Sequence, residues 1–203
     1  SALDNITLIS NSDCHSARRI GREANVFSAQ GGPASGGEGS VLSYKSIVDA
    51  IKKKGGTLRL VETIELFPEE GKYHYDGHRG CKISLSPEES HKINEMCPNC
   101  ARPVTVGVLS RVHELADRPE GFVPANAVPF RSLVPLDEII GEALGVGPET
   151  KSVMKQYTNL ISVFGSEFHI LLQTPLQEVG KASLPEIAEA LRRVREGELS
   201  IEP

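Results

Sequence analysis

The chain of 203 residues has no tryptophan, only four tyrosines and six phenylalanines, and 5% aromatic residues in all. A base-stacking platform for nucleic acid is therefore thinly supplied. Uninterrupted apolar runs are short, well below the roughly 18 residues that a membrane-spanning helix needs. The opening Ser1-Ala2-Leu3-Asp4 lacks the basic flank and apolar stretch of a secretory signal, so the expected compartment is cytoplasmic, with no membrane partner. A formal charge of −5 argues against a uniformly basic nucleic-acid binder, while leaving room for local basic faces. No Gly-x-x-x-x-Gly-Lys-Ser/Thr phosphate loop occurs, which excludes an ATP site of that kind. There is no His-x-His pair and no internal repeat of solenoid period.

Four cysteines are present, and in a reducing compartment they point to metal before disulfides. Cys97-Pro98-Asn99-Cys100 has the spacing of a metal-binding turn, and His78-Arg79-Gly80-Cys81 offers a second pair at the same spacing. Three thiolates and one imidazole suit a closed tetrahedral zinc, structural in function because no position is left for substrate. His74, Asp76 and His91 are alternatives to His78 as the fourth ligand. The glycine usual after the second knuckle cysteine is replaced by Ala101. Arg79, Lys82, Arg102 and Arg111 lie around this segment, either to steer a polyanion or to offset the −1 charge of the zinc set.

Along the chain, Ile6–Ile9 reads as a short buried strand ending at Asp13-Cys14-His15, with Ala24–Phe27 a second extended piece. Residues two apart on an extended segment share a side. Asp13 and His15 could therefore converge on one cation such as zinc, manganese or iron, while Cys14 points to the core. Residues 30–40 are Gly-rich and predict a flexible loop. Ser43 to Lys54 predicts a helix with Ser43 as its cap, and Leu58 to Phe67 predicts a strand. This helix and strand are the closing portion of an α/β unit. Residues 71–108 read as loop-rich, Val104 to Leu115 as helical with Val108, Val112 and Leu115 on one face, and 118–132 as an irregular connection with three prolines. Helices follow at Pro135–Leu144, Pro148–Phe164, Glu167–Leu172 and Pro185–Arg195, the prolines suiting first turns. Arg192, Arg193 and Arg195 read as a solvated face.

Leu144-Gly145-Val146-Gly147-Pro148-Glu149-Thr150-Lys151 resembles a helix-hairpin-helix turn, whose free N–H groups at the second helix could hold a phosphate, with Lys151 and Lys155 adding charge. The bland alternative is a glycine-ended helix followed by a proline-started one. Arg18, Arg19 and Arg22 adjoin the Asp13–His15 turn and are candidates for phosphate contact.

Asn11-Ser12-Asp13-Cys14-His15-Ser16 followed by Ile20-Gly21-Arg22-Glu23-Ala24-Asn25-Val26-Phe27 resembles the end of the polymerase-and-histidinol-phosphatase (PHP) domain of the endonuclease Q family. Phe67 to Cys81, Cys97 to Val108 and Arg111 to Arg118 continue the likeness, which runs through nearly the whole chain apart from the Gly-rich loop. The resemblance implies a C-terminal piece of a metal-dependent DNA-repair endonuclease that nicks DNA beside uracil, hypoxanthine and abasic sites. Asp13 and His15 would then be catalytic, the last ligands of a multinuclear cluster of divalent zinc, manganese or magnesium. The early PHP ligands are absent, so this chain alone is expected to bind DNA without cutting it. Cys14 stands where that family has a small residue. Competing readings are a non-enzymatic zinc module for nucleic acid or protein, and a PHP-type phosphoesterase.

The expected fold is α+β: a C-terminal remnant of a PHP-type α/β barrel over 1–66, a zinc-binding ribbon-like segment over 67–110, and a helical domain over 111–203. DNA-binding candidates are Arg18, Arg22, Arg79, Arg102, Gly145, Gly147 and Lys151.

Overall fold

A computed structural model describes residues 2–30, 41–71 and 73–201. The expected Gly-rich loop lies, apart from Gln30, outside the described residues. The fold is α+β and divides into two compact units, residues 1–131 with 201–203, and residues 132–200.

In the first unit, β1 (Ala24–Ala29) pairs antiparallel with β2 (Leu58–Glu65), from Ala24 opposite Ile64 to Ala29 opposite Leu58. The register slips by one residue between Val26 and Phe27, and the edge strand β5 (Phe130–Ser132) lies on the far side of β2. Helix α1 (Tyr44–Ile51) begins where expected. The Ser43 hydroxyl accepts from the Ser46 N–H at 3.1 Å, and the Ser46 hydroxyl accepts from the Ser43 N–H at 2.8 Å. That reciprocal box satisfies two backbone donors that the helix itself leaves open. The helix packs against β2.

The stretch expected to be loop-rich contains a hairpin of β3 (Asp76–His78) and β4 (Ile83–Leu85) and then α2 (Pro87–Lys92), while α3 (Val108–Leu115) lies within the helix expected over Val104 to Leu115 and starts four residues later. Few apolar side chains in this unit are well buried: Ala50, Leu58, Ile64, Cys97 and Val104. Segment 6–9 is not a strand. Ile6, Leu8 and Ile9 are exposed, because no described strand runs beside them to take up their backbone groups or cover their side chains.

The second unit contains α4 (Leu136–Leu144), α5 (Lys151–Phe164), α6 (Glu167–Leu172), α7 (Leu176–Ala182) and α8 (Pro185–Glu196). Leu136, Ile140, Val153, Leu160, Ile170, Val179, Ile187 and Leu191 are completely buried there. At about 1.5–3 kcal/mol for each large apolar side chain removed from water, this is the better-built core. Glu167 ties three helices together: one carboxylate oxygen accepts the Leu136 N–H at 2.7 Å, the other the Tyr157 hydroxyl at 2.8 Å.

Three expectations change in this unit. α5 starts at Lys151 and not at Pro148, since Val146 N–H bonds back to the Gly141 carbonyl at 2.9 Å and draws Pro148 into the preceding loop. Helix α7 lies in a stretch not read as helical, introduced by Pro175. Arg195 is not on a solvated face. Its guanidinium donates to the Leu171 and Thr174 carbonyls, both at 2.8 Å, and to that of Ile170, closing the C-terminal end of α6.

Candidate metal centre and its surroundings

His78 ends β3, and Arg79–Cys81 forms a tight turn closed by Lys82 N–H to the Arg79 carbonyl at 3.2 Å. Lys82 then adopts the left-handed conformation, φ 53°. The second knuckle takes the same path. Cys97 N–H bonds to the Arg102 carbonyl at 2.7 Å, Ala101 N–H bonds to the Cys97 carbonyl at 2.8 Å, and Ala101 is left-handed at φ 50°. Each knuckle thus runs ligand, two residues, ligand, left-handed residue. The two are joined by a bridge in which Gly77 and Thr105 exchange N–H to carbonyl bonds at 2.9 and 2.8 Å.

The result is that one ligand atom from each of His78, Cys81, Cys97 and Cys100 lies within 4.8 Å of every other. His78 Nδ1 is 3.3 Å from Cys100 Sγ. Zinc bonds of about 2.0–2.3 Å in a tetrahedron place ligand atoms on the order of 3.5–3.8 Å apart, so the set is of the right size and kind for zinc. Burial pushes the Cys97 thiol up. The N–H groups of Asn99 and Cys100, with His78 and the Cys100 thiol, outweigh it and hold Cys97 down at about 6. Hydrogen bonding with Cys100, then burial and the Cys97 sulfur, push Cys81 up to about 11. Three sulfurs this close are not all ionised at neutral pH without a cation among them, and a bound zinc would supply that charge.

Asp76, weighed in the sequence as a ligand, serves the helix beside the centre. Its side chain is 1% exposed, and one oxygen accepts the Gly107 N–H at 2.6 Å and the Ser110 hydroxyl at 2.7 Å. Burial pushes this carboxyl up, but the wholly buried Ser90 hydroxyl, Gly107 N–H and Ser110, with His91, bring it below the ordinary carboxylate range on balance. Ser90 Oγ and Asp76 Oδ2 form no hydrogen bond of good geometry, so Ser90 acts as a neighbouring dipole. Asp76 therefore caps the N-terminus of α3, where negative charge is favoured. The carbonyls of Tyr73 and His74 take the next two N–H groups, of Val108 and Leu109. Gly107 permits this approach, because a Cβ there would lie 2.4 Å from the Tyr75 carbonyl carbon. His91 is exposed, 3.9 Å from Glu95, and like His74 and Asp76 it stands outside the ligand group.

Asp13 and His15 do not lie on an extended segment. Asp13 is left-handed, φ 40°, and His15 Nδ1 lies 2.8 Å from the Asp13 backbone carbonyl, forming a turn. Cys14 is exposed and does not enter the core, since Asp13 turns the chain where an extended segment was expected. The turn offers two donors suited to a divalent metal, too few to hold a cluster unaided.

Arg18 stands on the short helical turn Ala17–Arg19, and Arg22 follows three residues after its end, half-buried. Arg79 and Arg102 are exposed and sit inside the first knuckle and just after the second, beside a zinc set that would carry −1 charge. In the second unit Gly145, left-handed at φ 64°, ends α4, and exposed Gly147 and Lys151 flank the start of α5. Thr150 makes no side-chain cap to α5; its hydroxyl instead meets that of Ser152 at 3.2 Å.

The comparison with solved structures defines a class first. Over nearly its whole length the chain has the fold of endonuclease Q, and the likeness is to DNA-repair endonucleases of that kind. Among particular relatives, the lesion-specific endonuclease PfuEndoQ from Pyrococcus furiosus superposes with a TM-score of 0.80 at 30% identity, over 98% of this chain and 47% of its own. Endonuclease Q bound to a 27-mer duplex with an abasic lesion at the active site gives a TM-score of 0.84 at 30% identity, over 100% of this chain and 48% of its own. Residues 135–198 match the MJ0043 C-terminal domain. The uncharacterized protein MJ0043 of Methanocaldococcus jannaschii is 32% identical over 207 residues, covering 99% of this chain and 24% of the relative. The uncharacterized protein YqxK of Bacillus subtilis is 26% identical over 203 residues, 99% of this chain and 45% of the relative. The chain thus spans about half the length of the endonucleases it matches, and a quarter to under a half of these other two. Among the described residues no helix is long and apolar enough to cross a membrane.

Proposed function

We propose that this chain is a C-terminal portion of a metal-dependent endonuclease that nicks DNA beside uracil, hypoxanthine and abasic sites. The observation that carries this reading is the likeness, over all of the chain, to an endonuclease Q held on a duplex with an abasic lesion. Residues 1–66 serve as the closing part of a PHP-type domain, 67–110 as a ribbon-like zinc module and 111–203 as a helical region. His78, Cys81, Cys97 and Cys100 hold a structural zinc. Asp13 and His15 supply two ligands of a catalytic cluster of zinc, manganese or magnesium, whose other ligands come from outside residues 1–203. Such a cluster, when complete, would ionise a water and polarise the scissile phosphate. Arg18, Arg22, Arg79 and Arg102 would contact phosphates, and so would the Gly145–Lys151 hairpin through the open N–H groups at the start of α5.

The test is binding of purified residues 1–203 to duplexes carrying uracil, hypoxanthine or an abasic site, over a range of salt. Binding that weakens steeply with salt, and no strand cleavage with added Mn2+ or Mg2+, is the expected result. Cleavage by the purified chain would overturn the assignment of the missing ligands. A second reading, a non-enzymatic zinc module, draws on the fact that the described residues gather one ligand group of three or more. Equal affinity for damaged and undamaged duplex, or affinity for neither, favours it.

A further inference from the structure

Between residues 4 and 20 the chain has one well-buried residue, Ser10, at 7% exposure. Its neighbours Ile9 and Asn11 are exposed, and it pairs in no sheet among the described residues. A buried backbone amide outside a sheet must find its partners elsewhere. Both of Ser10's are found on a single side chain: its N–H donates to Asn25 Oδ1 at 3.0 Å, and its carbonyl accepts from Asn25 Nδ2 at 2.6 Å. Asn25 lies within β1 opposite Thr63, so its backbone is fixed by the sheet. The side-chain amide stands in for a neighbouring strand's peptide group, one acceptor and one donor side by side. Aspartate lacks the donor, and serine has too short a reach to present both. Among the described residues no other hydrogen bond reaches residues 6–12. Three residues beyond Ser10 the backbone turns at Asp13, and His15 Nδ1 meets the Asp13 carbonyl.

We propose that Asn25 is a positioning residue that fastens the Asp13–Cys14–His15 turn to β1 through Ser10, fixing where the two metal donors are presented. This deepens the reading of Asp13 and His15 as ligands and rests on it. The sequence marked Asn25 only as one letter of a longer motif. The bond pair spans fifteen residues and joins an isolated loop to a sheet, which spacing alone does not reveal.

The experiment compares residues 1–203 with Asn25→Ala and Asn25→Asp, using amide hydrogen exchange over residues 10–16 and Mn2+-induced broadening of the His15 ring signals. Loss of both hydrogen bonds predicts exchange at Ser10 and a Mn2+ dissociation constant raised by about tenfold or more in Asn25→Ala. Asn25→Asp, which keeps the acceptor alone, should fall between. Zinc content and exchange in residues 132–200 should not change. Unchanged protection and unchanged Mn2+ affinity in Asn25→Ala overturn the proposal. So does loss of zinc or of protection throughout, which would make Asn25 a general fold residue. If the wild-type His15 shows no broadening while Asn25→Ala still loosens residues 10–16, the anchor stands and the metal reading of the turn alone falls.

Discussion

Ala101 occupies a backbone conformation that costs an L-residue with a Cβ on the order of 1 kcal/mol and costs glycine little. It follows the second cysteine of a knuckle and has φ 50°. Ala101→Gly should therefore raise the unfolding free energy of the metal-loaded chain by about 1 kcal/mol, a gain readable in urea titration. The residue scale is also where the sequence was most and least informative. The spacing of Cys97 with Cys100 and of His78 with Cys81 was visible because a tight turn with two ligands has a nearly fixed length. The same spacing favoured His78, and setting aside His74, Asp76 and His91 needed the hairpin that carries it. Asp76 as a cap and Arg195 as a closing donor were hidden, because both act on backbone far away in the chain. Asp76 reaches Gly107 and Arg195 reaches Leu171.

At the scale of elements, α3 shows what a local reading misses. Its periodicity is genuine, yet Val108, Val112 and Leu115 face outward and Ser110 is the one well-buried position. An eight-residue helix is too short to persist by propensity. It is held at its N-terminus by Asp76 and by the Tyr73 and His74 carbonyls. Asp76→Asn should destabilise the first unit by about 1–3 kcal/mol and speed amide exchange in α3 before other helices. Helices α6 and α8 were readable to within a residue at both ends, and α1 at its capped start, though it stops at Ile51, three residues short of the expected Lys54. By contrast, α7 is seven residues long with Gly180 inside it, and its stability comes from packing on α8.

On α8 itself, Glu189 is held down to about 2 by hydrogen bonds from Arg192 and then Arg193. A depressed carboxyl stabilises the fold above its unfolded value near 4.5, and that contribution disappears as pH falls toward 2. The urea midpoints of wild type and Glu189→Gln should therefore differ at pH 6 and draw together as pH falls toward 2, with a small gap throughout, since these ion pairs face solvent.

For the whole molecule, the contrast between the units matters most. The second buries eight large apolar side chains completely, while among its described residues the first buries Ala50, Leu58, Ile64 and Val104 beside the cluster of three cysteines and His78. A metal with four protein ligands can replace much of a missing apolar core. If these residues hold the proposed zinc, Cys97→Ser with Cys100→Ser should abolish binding of one equivalent of that metal. Amide protection should then collapse in residues 73–115 while persisting in 132–200, as read by elemental analysis and hydrogen exchange. A fully protected, zinc-free double variant would dismiss the centre.

The side chains of Ile6, Leu8, Ile9 and Ile20 lie open to water on the first unit. Exposed apolar groups of this size favour company over solitude. A concentrated stock of this polypeptide should cloud, cling to vessel walls and clear again with a trace of mild detergent. Storage conditions would reveal that hunger for a neighbour before any assay did.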